Sequence, residues 1–182
     1  MLLIPCVTWA SGGYDNGTPA GEGNIDIELT LNPGDVIDKG QSYIVWGYGL
    51  TNKLDFHGYI SHEAGGTDQI YYGLMYNFYH SPRLDLSTAL GIRHREKTDD
   101  LYLPQLLYTI RIQNGYDIIG SLVNVYRTNN SHNLGQTYDV AFRIPIPQRL
   151  IPDAISDAKL AIGAFRNLGG NIYPTYSIDL RF

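Results

Sequence analysis

Polar and apolar side chains alternate with a period of two residues in ten successive segments between residue 24 and the end of this sequence. In the first segment, Ile25, Ile27 and Leu29 alternate with Asp26 and Glu28. This period is typical of a β-strand with one apolar and one polar face. The segments run roughly 8–11 residues, enough for a tilted strand to cross a bilayer, and turn-forming residues separate them. In residues 116–127 the pattern does not show which strand face is the polar one, because apolar side chains occur at both even and odd positions.

Residues 173–182 show the alternation most regularly. The even positions are all apolar, namely Pro174, Tyr176, Ile178, Leu180 and Phe182. The odd positions from Thr175 to Arg181 are polar, and the sequence ends on the phenylalanine. A period-2 strand that ends on an aromatic residue resembles the closing strand of bacterial outer-membrane β-barrels. The resemblance implies that this strand seals the barrel and that the outer-membrane assembly machinery recognises Tyr176, Ile178, Leu180 and Phe182.

The repeated pattern predicts an all-β protein: an antiparallel, up-and-down transmembrane β-barrel of about ten strands, an even number as single-chain bacterial barrels require. Residues 14–182 are predicted to form this single domain. The connections support the prediction, because short turns at 51–53, 80–83 and 113–115 alternate with mostly longer connections. We call the end with the short turns the inner end. Residues 147–158 are long for an inner turn, and Pro152 is placed to begin a short helix there.

Residues 1–13 differ from the rest of the chain. A short apolar stretch, interrupted by Pro5, is followed by Ser11, Gly12 and Gly13, but basic residues are missing before it. Apolar residues before a small-residue cleavage region are typical of a secretory signal peptide. The sequence therefore predicts a truncated signal-peptide remnant over 1–13. The alternative is an ordinary N-terminal segment that tucks into the mouth of the barrel.

Composition excludes several classes of protein. The sequence is 43% hydrophobic but has no run near the ~20 apolar residues of a membrane-spanning helix. Its net charge of -5 argues against a nucleic-acid partner. The single Cys6 excludes an internal disulfide framework and a cysteine zinc cluster, and we predict no metal or cofactor. The 15 tyrosines suit an interfacial girdle, predicted from Tyr43, Tyr79, Tyr102, Tyr116, Tyr126 and Tyr138.

Charged side chains on the polar face are predicted to point into the barrel. At the bilayer midplane a lipid-facing Arg costs roughly 2–4 kcal/mol, whereas an interior charge can be paired. Small residues such as Gly47 and Gly91 share that face and leave room for longer side chains. The predicted lumen-facing residues that would determine selectivity are Glu28, Asp55, His57, Arg93, Arg111 and Arg143.

The predicted function is a non-enzymatic outer-membrane barrel: a narrow or gated channel, a transporter-like protein or a structural barrel. Its partners would be the lipid bilayer, the assembly machinery and, for a channel, a small solute. Residues 48–56 are similar to a hairpin of transporter-like barrels, including the family for phenol meta-pathway degradation. One alternative is a soluble, lipocalin-like ligand-binding barrel, in which the apolar face would point inward.

A second alternative is a barrel hydrolase that acts on lipid or peptide at the outer rim. The candidate residues cluster in two connections: Ser61, His62, Glu63 and Asp68 in one, and His94, Asp99 and Asp100 in the next. A serine nucleophile needs its base within hydrogen-bond distance. Neighbours on a strand point to opposite faces, so Ser61 and His62 cannot both face one site.

Overall fold

Ten antiparallel strands close into one barrel in the computed structural model, which describes residues 16–31, 41–63, 68–95 and 98–182. The strands are β1 Ile25–Leu31, β2 Gln41–Gly49, β3 Leu54–Glu63, β4 Gln69–His80, β5 Leu84–Arg95, β6 Leu101–Arg111, β7 Asp117–Arg127, β8 Asn133–Pro145, β9 Asp157–Arg166 and β10 Ile172–Arg181. Each strand pairs with its sequence neighbours. The predicted all-β, up-and-down barrel of ten strands is therefore confirmed. The described residues contain no helix long and apolar enough to cross a membrane.

The barrel closes where β1 pairs with β10. Glu28 lies opposite Asp179 and Leu29 opposite Ile178, so polar and apolar faces continue across the seam. At the inner end, the Phe182 amide donates to the Ile25 carbonyl at 2.9 Å. The regular alternation of residues 173–182 thus belongs to a strand that is paired on both sides.

The polar face points into the barrel and the apolar face points outward. In β5, Asp85 and Ser87 are fully buried, whereas Leu90 is 58% exposed. The same parity holds in β4, where Asn77 is buried and Leu74 is exposed. A soluble, lipocalin-like barrel would need the opposite arrangement.

Strand β7 resolves the face assignment that its sequence leaves open. Ile119, Val123 and Val125 are buried in the interior, whereas Leu122 is exposed on the outside. The apolar interior residues pack against partners on other strands: Ile119 against alanines of β8 and β9, and Val123 and Val125 in a larger apolar cluster. Strand β7 has apolar residues on both faces because its outer face is exposed and its inner face packs against other apolar side chains in the interior.

The inner turn between β6 and β7 follows from its sequence. Asn114 has φ 62° and Gly115 has φ 80°, both in the left-handed region. Two successive left-handed residues match the twist of a hairpin, and Asn-Gly is the preferred pair for such a turn. The tight turn predicted at 113–115 therefore has a local cause.

The long inner connection after β8 holds a short 3-10 helix that the sequence does not predict, as well as a turn at the predicted place. A 3-10 helix spans Gln148–Leu150, and a single turn follows, in which the Ile155 amide donates to the Pro152 carbonyl. Strand β9 begins at Asp157, opposite Arg181 of β10. This pairing leaves room for only the single turn that begins at Pro152, and not for a longer helix within 152–158.

Tyr43 is not part of an outer girdle. It is only 2% exposed and lies inside the barrel, where its ring meets the Tyr59 ring edge-on at 5.6 Å. The cause is parity, because Tyr43 lies on the face opposite the exposed Ile44 and Tyr48. The other tyrosines of the predicted girdle lie outside, and Tyr102 and Tyr126 stack at 4.9 Å. The predicted signal-peptide remnant, 1–13, lies outside the described residues.

Candidate interior site

The chain before β1 folds back into the inner end of the barrel. We call residues 16–20 the strap. The reversal uses Gly21 at φ 84° and Gly23 at φ 80°, a conformation that glycine adopts without steric cost. The Asn24 amide donates to the Gly21 carbonyl at 3.0 Å, and its side chain donates to the Ala20 carbonyl at 3.0 Å. This turn directs the strap into the lumen.

Side chains on four strands bind the backbone of the strap. The Gly17 amide donates to Thr109 Oγ1 at 3.0 Å, and its carbonyl accepts from Ser87 Oγ at 2.7 Å and Asn77 Nδ2 at 3.1 Å. The Ala20 amide donates to Asp55 Oδ2 at 2.8 Å. These contacts place the strap among the interior groups of β3, β4, β5 and β6.

Gly17 packs directly on the barrel wall. A Cβ at this position would lie 2.8 Å from Tyr108 Cα and 2.9 Å from the carbonyl oxygens of Asp85 and Leu107. These are backbone atoms of paired strands, so they cannot move aside cheaply. The neighbouring Thr18 hydroxyl donates to Asp85 Oδ2 at 2.8 Å. Glycine is thus required at position 17 if the strap is to lie in this place.

Two cavities flank the strap at the inner end. The larger has a volume of about 180 Å³ and reaches the walls of β8, β9 and β10. The smaller, of about 60 Å³, reaches Asp55, His57 and Met75. Asn16 and Thr18 of the strap line both cavities. We call the two cavities together the vestibule, and the strap divides it.

Paired charges line the larger cavity. Arg143 donates to Asp117 at 2.9 Å and to Asp179 at 3.2 Å, and Lys159 Nζ lies 2.5 Å from Asp117. These residues come from β7, β8, β9 and β10, so the network joins four neighbouring strands. Since Asp117 and Arg143 are nearly buried, each charge needs its partners.

Two further ion pairs and a histidine–carboxylate contact lie in the inner half of the barrel. Arg181 of β10 forms a bidentate pair with Asp26 of β1 at 2.7 and 2.8 Å, across the seam of the barrel. On the opposite side, Asp85 is paired with Arg111 and with His80 Nδ1, the latter at 2.6 Å. Fork-shaped guanidinium groups suit such bidentate contacts with carboxylates.

Apolar side chains fill the outer half of the lumen. We call this set the outer cluster, and its buried members are Tyr43, Tyr59, Tyr71, Leu101, Leu103, Val123 and Val125. The rings of Tyr59 and Tyr71 stack at 5.1 Å. The Tyr71 hydroxyl accepts from Gln105 Nε2 at 2.8 Å and lies 3.1 Å from His57 Nε2. In the part that the structure describes, the outer half of the lumen is thus filled mainly by apolar side chains, although polar residues such as Arg93 and Gln69 are also buried there, and the inner half holds the paired charges.

The six predicted selectivity residues all lie on the interior face, at different depths. Glu28, Arg111 and Arg143 line the larger cavity, and Asp55 holds the strap. His57 lines the smaller cavity and also contacts the outer cluster through Tyr71, whereas Arg93 is buried higher on β5, away from both cavities. The structure therefore does not gather the six into one ring, and their role in selectivity remains a prediction.

Three contributors to the vestibule are not predicted from the sequence: the strap, Asp117 and Lys159. Asp117 begins the strand whose faces were ambiguous, and Lys159 follows the irregular inner connection. A signal for the strap existed in the two glycines that flank Glu22, which favour a chain reversal directly before β1.

The hydrolase candidates do not form one site in the described part of the chain. Ser61 is buried in the interior, whereas His62 is exposed and bonds to Asp68 at 2.6 Å. On the outside, His94 bonds to Asp100 at 2.8 Å and to the Tyr72 hydroxyl at 3.0 Å.

The remaining hydrolase candidates do not bring a nucleophile and a base together in the described part of the chain. Asp99 lies 3.9 Å from Arg127, and the side chain of Glu63 lies outside the described residues. Among described residues, no cluster of three His, Cys, Asp or Glu side chains is suited to hold a metal ion.

Comparisons with known proteins identify similar folds only. No protein-family model matches the chain, and no curated protein does. A KdgM porin solved in complex with disordered oligogalacturonate is 8% identical, with a TM-score of 0.49 over 87% of this chain and 98% of the porin. A bacterial polysaccharide outer-membrane secretin is 9% identical, with a TM-score of 0.42 over 87% of this chain. This chain spans 63% of the secretin's length.

OccK7 (OpdD) of Pseudomonas aeruginosa is 11% identical, with a TM-score of 0.33 over 85% of this chain and 58% of that protein. Similarities this weak carry no information on function.

Proposed function

We propose that this chain is an integral outer-membrane β-barrel that acts as a narrow, gated channel. One observation carries the membrane assignment: every strand exposes large apolar side chains on its outer face. We call this surface the apolar belt. A representative of each strand, 37–58% exposed, is Leu29, Ile44, Phe56, Leu74, Leu90, Leu106, Leu122, Val140, Ile162 and Tyr176.

The belt is too extensive for a protein in water. Soluble monomers rarely expose contiguous apolar patches larger than a few hundred Å². Here the exposed residues run around the whole barrel, while charged residues such as Asp85 and Arg143 are buried inside. An apolar exterior around a charged interior is the arrangement expected of a barrel in a lipid bilayer. Closed barrels of this kind occur in bacterial outer membranes.

Substitution in the middle of the belt tests the membrane assignment. We expect Leu90→Arg to destabilise the protein refolded in lipid vesicles by about 2–4 kcal/mol, because the charge would face the bilayer core. Urea unfolding would measure this cost. The control is Leu150→Arg, since Leu150 is 67% exposed in the inner connection, outside every strand. Equal, small effects of both substitutions would show that Leu90 faces water and would exclude the proposal.

The channel assignment is supported by the polar vestibule, and the closed state by the outer cluster. A small polar solute is the cargo that such a lumen would suit. In planar bilayers we expect rare, small openings of the parent protein and larger conductance of Tyr71→Ala, because this substitution removes the central ring of the outer cluster. Arg111→Glu should shift the ion selectivity of these openings towards cations.

A structural barrel is the second candidate, because the outer cluster and the ion pairs fill much of the lumen. It would be favoured if neither the parent protein nor Tyr71→Ala conducted at any voltage.

Two finer assignments belong to the same proposal. The hairpin over 48–56 supports a transporter-like barrel of the phenol meta-pathway type, and Tyr176, Ile178, Leu180 and Phe182 would be recognised by the assembly machinery.

A further inference from the structure

We propose that the vestibule contains a binding site for a short, bent segment of peptide backbone, and that the strap is its built-in ligand, which keeps the vestibule closed. The closing role rests on the proposed channel function. The binding site does not, because it follows from the contacts of the strap with the wall.

The wall groups are complementary to a peptide unit. Thr109 accepts from the Gly17 N–H, while Ser87 and Asn77 donate to the Gly17 carbonyl. Asp55 accepts from the N–H three residues later, at Ala20. All four wall residues are buried, so they would lose hydrogen bonds if an apolar segment took this place. The site therefore selects a ligand that presents backbone N–H and C=O groups at this spacing, in a chain that bends as the strap does at residues 17–18.

The site also selects by size. No strap residue has a side chain larger than that of Asn16. At Gly17 the wall leaves no room for a Cβ, since three backbone atoms lie within 2.9 Å of its position. A ligand chain that carries a small residue on either side of a glycine fits these limits.

The strap can leave without breaking the barrel. None of its residues belongs to a strand, and its hydrogen bonds to the barrel wall go to side chains rather than to the backbone of the strands. It is linked to β1 through Gly21 and Gly23, whose left-handed conformations form a hinge-like turn. Because the strap separates two cavities that both touch Asn16 and Thr18, its release would join them.

Thiol labelling of the full chain, refolded in vesicles or micelles, measures the position of the strap. A Cys6→Ala background leaves the thiol introduced by Ala20→Cys as the single target, at a strap position that is 3% exposed. We expect slow labelling by a polar maleimide, and labelling about tenfold faster or more when Gly17→Ala is added, because local opening governs access. Gly47→Ala is the matched control, since its Cβ would meet nothing nearer than Asp26 Cβ at 4.0 Å. Fast labelling in the parent, or no response to Gly17→Ala, would overturn the proposal.

A free peptide tests the ligand class. The probe position is Met75, which is buried and lines the smaller cavity beside the strap. In Cys6→Ala, Gly17→Ala, Met75→Cys protein, we expect the pentapeptide Asn-Gly-Thr-Pro-Ala to slow labelling several-fold. The peptide Asn-Ala-Thr-Pro-Ala should leave the rate unchanged, because its second residue cannot fit. Equal effects of both peptides, or none of either, would exclude a peptide-backbone site.

Conductance separates the two proposals. If the chain forms a gated channel, Gly17→Ala should increase its open time and the Asn-Gly-Thr-Pro-Ala peptide should reduce it again. Labelling that responds as expected, with no conductance in any variant, would retain the binding site and exclude the channel. Conductance that is the same with and without Gly17→Ala would exclude the closing role of the strap.

Discussion

Tyr71 joins the two halves of the lumen at the scale of a single residue. Its ring stacks on Tyr59 within the outer cluster, while its hydroxyl meets Gln105 and His57. Rings pack well in an apolar interior, but a buried hydroxyl must find partners. Here the partners come from β3 and β6, so one side chain ties three strands together across the lumen.

Removing only this hydroxyl should have a measurable cost. We expect Tyr71→Phe to lower the free energy of unfolding by about 1–3 kcal/mol, because the buried amide of Gln105 loses its acceptor. Urea unfolding in vesicles would measure the change. Tyr138→Phe is the control, because Tyr138 is 44% exposed on the outside. A loss of the same size in both variants would show that the buried hydrogen bonds contribute nothing.

At the scale of elements, the strands could be predicted from sequence because each has a local cause. The two-residue period identified all ten strands, and the pair Asn114 and Gly115 marked the turn between β6 and β7. The period also assigned faces correctly wherever one face is polar, as in β5. Local pattern is sufficient here, since a strand of this barrel meets a polar lumen on one side and an apolar surrounding on the other.

The two-residue period does not predict the position of a residue whose surroundings depend on distant parts of the chain. Val123 and Val125 are apolar but interior, because they pack against residues from other strands that sequence alone does not bring together. Residue type predicts that Tyr43 belongs to the girdle, although its parity places it inside. The strap carries no periodic pattern at all, and its position depends on contacts with four strands. Long-range contacts, not local preference, decide these parts of the site.

At the scale of the whole molecule, charge pairing makes the inner half of the barrel one unit. Asp117 accepts from Arg143 and Lys159, and Arg143 also reaches Asp179. The pairs link β7 to β10, and the pair of Arg181 with Asp26 continues the chain of contacts to β1. A buried charge is tolerated only while it keeps its partners. Replacing one of these residues should therefore destabilise the packing of all the strands that the network joins.

This dependence predicts the effect of neutralising Asp117. We expect Asp117→Asn to lower the free energy of unfolding by about 2–4 kcal/mol, because two nearly buried cations lose their shared anion. The control is Asp99→Asn, since Asp99 lies 3.9 Å from Arg127 and both are well exposed; this variant should change stability by about 0.5 kcal/mol or less. The heat-dependent gel mobility of the refolded barrels, with urea unfolding in vesicles, would compare the two. If Asp117→Asn is as stable as Asp99→Asn, the inner charges act independently, and the lumen is wet enough to screen them.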